Sequence, residues 1–131
     1  MKQLLLLCLI ALACFGNWCN PTPPKSTEPL SFRAPDLMSE YVRDPDAADK
    51  KYKGKQMFIS GVVSRANHAD NTVSLKGVSS PVSNFIKCHL THDESRKIDT
   101  VVENQGINIE GKNDGWNFGY LEISQCVIKG Q

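Results

Sequence analysis

Between Gln56 and Lys129 the hydrophobic period of the chain runs strand, strand, strand, helix, strand, strand. The strand-like runs are Gln56–Ala66, Thr72–Gly77 and Asn84–Leu90, then, after a helical stretch, Ile107–Lys112 and Tyr120–Lys129. That order reduces the fold to a short list headed by a closed five-stranded barrel. It says nothing of what such a barrel would hold.

Alternation assigns the faces. Met57, Ile59 and Val63 share one side of the first run, with Gly61 between them where a barrel strand would bend. Ala69-Asp70-Asn71 marks a hairpin turn. Val73 and Leu75 face inward from the second run, as do Ile86, Cys88 and Leu90 from the third, which leaves Phe85, Lys87 and His89 outside. Thr91 and Glu94 have the spacing of a capping box. Ile98, Val101 and Val102 form the apolar stripe of the helix that follows, a plug for one barrel end, and Gly106 is its expected stop. Asn113-Asp114-Gly115 is expected to open the second hairpin. Leu121, Ile123, Cys126 and Ile128 form the inner row of the last strand, and the step from Ile123 to Cys126 predicts a bulge near Ser124–Gln125. The expected fold class is mainly β: a five-stranded OB-fold barrel with a helix between strands three and four, preceded by an N-terminal helical segment.

That helical segment spans Ala34 to Lys55. Pro35 and Asp36 suit a first turn, and Leu37, Met38, Tyr41 and Val42 recur at helical spacing. Asp44-Pro45-Asp46 repeats the start signal. Lys50, Lys51, Lys53 and Lys55 load the far end, as a solvated helix terminus or an anion-facing patch, and Gly54 ends it. Upstream, Lys2, the apolar run Leu4–Ala13 and Ala11-Leu12-Ala13 read as a secretory leader over residues 1–13, too short to span a bilayer of ~30 Å. Cys14 follows directly, in the place of a lipid acceptor, although plain secretion also fits. Residues 14–33, with Pro21, Pro23, Pro24 and Pro29, read as a tether. The remaining 34–131 form one domain. Export to the periplasm, as an outer-membrane lipoprotein or in secreted form, is the expected localisation.

Lysines and arginines number 15 against 14 acids, a net charge of +1. A general nucleic-acid binder normally carries a basic excess, so this balance disfavours one. His89 and His92 bracket two residues, but one lies on a strand and the other at a helix start, and no cysteine pair has zinc spacing. No nucleophile elbow, glycine-rich phosphate loop or paired catalytic carboxylates appear, so neither an enzyme, a metal nor a cofactor is expected.

With Ala48-Asp49, Tyr52-Lys53-Gly54-Lys55, Gly61-x-Val63, Cys88, Leu90, Gly111, Cys126 and Ile128 in place, the chain resembles the tRNA-anti-like OB-fold proteins over residues 37 to 129. Many of these are bacterial lipoproteins without a settled activity. A barrel of this kind sets its third and fifth strands side by side. Cys88 and Cys126 would then be inward-facing neighbours, joined as a disulfide or packed as two thiols. The resemblance implies a ligand surface holding Arg65, Lys76, Phe85, Lys87 and His89, joined by Trp116, Phe118 and Tyr120 from the second hairpin. Those rings either stack on a ligand or fold back over the barrel mouth. The expected role is a non-enzymatic binding module for an envelope protein, glycan or small molecule, with single-stranded nucleic acid as the alternative.

Overall fold

The computed structural model describes residues 28–79 and 83–131. The leader, Cys14, Cys19 and the tether up to residue 27 lie outside the described residues. Four antiparallel pairs and one parallel pair close the barrel. β2 (Gln56–Asn67) runs antiparallel to β3 (Thr72–Ser79), and β3 to β4 (Ser83–Leu90). β4 lies parallel to β6 (Tyr120–Gly130), β6 pairs antiparallel with β5 (Gly106–Asn117), and β5 returns to β2. This is the OB-fold circuit, and it leaves no open barrel edge. Met57, Ile59, Val63, Val73, Leu75, Ile86, Cys88, Ile109, Leu121, Ile123 and Cys126 fill the interior, in the alternation that the sequence carries.

Leu30–Arg33, at the end of the expected tether, instead forms a strand, β1, parallel to Met57–Ser60 of β2. Four residues are too few to show alternation, so only the pairing reveals it. The helical segment divides into α1 (Ala34–Arg43) and α2 (Pro45–Tyr52). Asp44 separates them: its carboxylate accepts the N–H of Ala47 at 3.0 Å, as the sequence signal predicts. Leu37, Met38 and Tyr41 are fully buried against the barrel, each burial contributing roughly 1.5–3 kcal/mol, while Val42 stays exposed. Tyr52 donates to Glu40 at 2.9 Å and Lys51 lies 3.3 Å away, which holds the Glu40 carboxyl below its usual range and ties α2 to α1.

Asn113 joins this cap to the barrel. Its side-chain amide donates to the Tyr41 hydroxyl at 2.9 Å and its carbonyl accepts the N–H of Gly115 at 2.8 Å. Its backbone exchanges bonds with Gly54 and Lys55 at 2.7 and 3.0 Å. The expected turn at Asn113-Asp114-Gly115 is therefore a bulge inside β5, with Gly115 at φ +102. The hairpin turns later, at Phe118-Gly119, both at positive φ, which matches the twist of the flanking strands.

The expected helix after β4 is a 3-10 helix, His92–Thr100. Val101 lies just past its end with extended backbone, still buried, and Val102 is exposed; Gly106 opens β5 and ends nothing. The capping box does not form. The Glu94 carboxylate points the other way, accepting from Lys97 at 2.9 Å and from the Ile128 N–H at 3.0 Å. Burial pushes its pKa up, but these two donors outweigh burial and hold it below the ordinary glutamate value. That bond fastens the plug to β6.

Gly61 lies where the edge of β2 passes from β1 to β3. The irregularity of β2 falls between Val63 and Arg65, and a Cβ on Gly61 would sit 2.9 Å from Ala34 Cβ and 3.1 Å from Leu75 Cδ1. Glycine is there so that the start of α1 can seat on the barrel. The bulge at Ser124–Gln125 is present, with Gln125 at φ +53. It turns Cys126 inward opposite Leu90, whereas Cys88 stands opposite Ile123. The two thiols are diagonal neighbours. Both are buried and free, which is the packed-thiol alternative of the two. The Cys88 thiol beside it, then burial, push the Cys126 thiol pKa up, so it stays protonated.

Candidate ligand-binding face

Outward-facing residues of β2, β3, β4 and β6 fall into two rows. In one, Arg65 stands opposite Ser74, Ser74 opposite Lys87, and Lys87 opposite Glu122. In the other, Lys76 stands opposite Phe85, Phe85 opposite Tyr120, and Tyr120 opposite Asn117. Cross-strand neighbours are close enough for side chains to interact. Phe85 and Tyr120 stack with centroids 5.2 Å apart and planes within 6°. The Lys87 ammonium lies 5.9 Å from the Tyr120 ring centre. Asn117 donates to the Tyr120 hydroxyl at 2.7 Å, and His89 meets the Glu122 carboxylate at 3.0 Å.

A groove of about 580 Å³ runs along this face, lined by Ser64, Arg65, Ser74, Lys76, Gly77, Val78, Asn84 and Phe85. Beyond Lys76 the register of β3 with β4 shifts. A Cβ on Gly77 would lie 2.5 Å from the Asn84 carbonyl oxygen, so only glycine lets β3 and β4 approach there. The lining holds two cations and no carboxylate.

Six of the eight residues expected at the site thus meet on one surface: Arg65, Lys76, Phe85, Lys87, His89 and Tyr120. Phe118 stands at the hairpin tip and is 99% exposed. Trp116 does not join. It stacks on Tyr41 at 5.8 Å with planes 8° apart, and its backbone N–H donates to Asp49 at 3.1 Å. It covers the barrel mouth instead. Asn117 and Glu122 went unread in the sequence; the parallel pairing of β4 with β6 is what sets Glu122 beside Lys87. Among the described residues no three histidine, cysteine or acidic side chains converge as a metal set.

Comparison with known proteins bears on the family and the fold. The tRNA_anti-like family matches residues 4–127. The chain belongs to that family. No curated protein matches it. Among solved structures, this family member is similar to a candidate nucleic acid-binding lipoprotein from Klebsiella pneumoniae subsp. pneumoniae, with a TM-score of 0.62 and 10% identity over 76% of this chain and 91% of that one. It is more loosely similar to a candidate aspartyl-tRNA synthetase from Leishmania major Friedlin, with a TM-score of 0.47 and 13% identity over 86% of this chain and 23% of that one. At such identities the first likeness concerns the fold alone, and the second is too loose to bear on it.

Proposed function

We propose that this tRNA_anti-like protein is a non-enzymatic binding module of the cell envelope, exported and either lipidated at Cys14 or free, whose ligand lies on the outer face of β2, β3, β4 and β6. One observation supports the reading above others: the Phe85–Tyr120 stack is flanked by Arg65, Lys76 and Lys87 on a single surface. Cations neutralise a polyanion, and rings accept flat faces by stacking. Single-stranded nucleic acid has both features. The near-neutral total charge speaks against it less than the sequence implies, because screening at ~8 Å makes the charge of one face matter more than the sum. An envelope protein, glycan or small molecule is the second reading, supported by the leader-like run Leu4–Ala13 and the proline-rich stretch that follows it.

Fluorescence anisotropy of labelled oligothymidylate with the chain from Cys14 onward separates the two. On the first reading, binding weakens linearly with log salt, and combining Phe85→Ala with Lys87→Ala costs roughly tenfold or more. Absence of binding at low salt, with an envelope glycan or protein captured through the same residues, moves the ligand to the second reading.

A further inference from the structure

The groove on the face does not end at β3. β5 occupies one edge of β2 from Gln56 to Val62, so β1 and β3 share the other. β1 lies beside Met57–Ser60 and β3 beside Val63–Asn67. At Gly61–Val62 that edge changes partner. A second concavity of about 430 Å³ opens at the change, lined by Arg33, Pro35, Ser60, Gly61, Val62 and Lys76. Lys76 lines both grooves. Its ammonium donates to Asn104 Oδ1 at 2.6 Å, and Asn104 is itself fastened to β2 by its N–H, which donates to the Val63 carbonyl at 2.8 Å. The junction cation thus has one hydrogen-bond partner holding it beside β2. Arg33, at the far end, is exposed and has no ion-pair partner among the described residues. Neither lining contains a carboxylate.

Resting on the nucleic-acid reading of the face, we infer that the second groove is a continuation subsite for the phosphodiester backbone of a single strand leaving the aromatic pair. Lys76 takes a phosphate at the junction and Arg33 one at the far end. The second lining has no aromatic ring, so bases there face solvent and add no stacking. The subsite thus contributes charge and length dependence, and the face contributes stacking. The strand crosses β4, β3 and β2 and leaves along the start of α1, a path that the added strand β1 makes available.

Length resolves the two surfaces. The probes are oligothymidylates of about 4 and about 12 nucleotides, near the ends of the ~4–16 that one OB barrel accommodates. Arg33→Glu is expected to weaken the longer probe about tenfold and leave the shorter within about twofold, while the salt slope for the longer probe falls by about 0.7 per lost phosphate contact. Arg33→Lys should restore most of the affinity. Phe85→Ala should weaken both probes. Arg33 is exposed, so unchanged melting of its variants confirms that they fold. Equal loss for both lengths, or none for either, overturns the subsite while leaving the face intact. Failure of the unaltered protein to bind either probe, or binding only of a polysulfated glycan, overturns the subsite together with the nucleic-acid reading of the face.

Discussion

Asn113 carries more of the structure than any other polar residue described. It is fully buried, yet every side-chain polar atom has a partner: Tyr41 on the donor side and Gly115 on the acceptor side. Asn113→Ala leaves the Tyr41 hydroxyl and the Gly115 N–H without them. The expected cost is about 2–4 kcal/mol, read as a lower urea midpoint with an unchanged slope. Glu94 supplies a pH-dependent term. Its folded pKa lies below the ordinary 4.5, so its stabilisation is complete above that value and is lost as pH falls through the folded pKa. Glu94→Gln should therefore lower the melting temperature near pH 7, and the gap to the unaltered protein should close at an acid pH below the folded pKa. An equal gap at both pH values would show that the charge contributes nothing. In the sequence, both residues carried local signals, a turn and a capping box. Each signal lost to a distant partner, Tyr41 in one case and Ile128 in the other, that no local pattern displays.

Among elements, the segment β1–α1–α2 precedes the five barrel strands in the chain. It closes the mouth with Leu37, Met38 and Tyr41, and Gly61 leaves room for Ala34 at its start. Gly61→Val forces a branched side chain into that contact and should cost about 1–3 kcal/mol in chemical denaturation; adding Ala34→Gly should recover part of it. Trp116 belongs to the same closure. Trp116→Ala should lower stability by about 2–3 kcal/mol, yet leave oligothymidylate affinity within about twofold. A large loss of affinity without a loss of stability would return Trp116 to the ligand face. The strands themselves were legible from alternation to within a few residues. β1 was not, because four residues hold too little pattern, and the 3-10 helix read as an α-helix because the two share capping signals and apolar spacing over so short a span.

For the whole molecule, the barrel is stoppered at both ends by parts of different origin. One plug, His92–Thr100, lies between strands of the circuit; the other precedes it in the chain. Deleting residues 1–54 would take Leu37, Met38 and Tyr41 out of the core and remove Tyr41 and Gly54 from Asn113. The shortened chain is expected to show no cooperative thermal transition, whereas deletion of residues 1–27 alone should leave the transition intact. Charge follows the same division between local and global. The residues summing to +1 are visible in any order, but their arrangement is not: Arg65, Lys76 and Lys87 come from three strands and meet only when the registers are set. The sequence by itself determined which residues point inward, the number and order of barrel strands and the bulge at Ser124–Gln125, because alternation is a local property of an extended chain. Tertiary structure alone decided the strand at Leu30–Arg33, the diagonal offset of Cys88 and Cys126, the removal of Trp116 from the face and the groove junction at Lys76. Each of those depends on which strand lies beside which, and pairing over long separations leaves no trace in spacing along the chain.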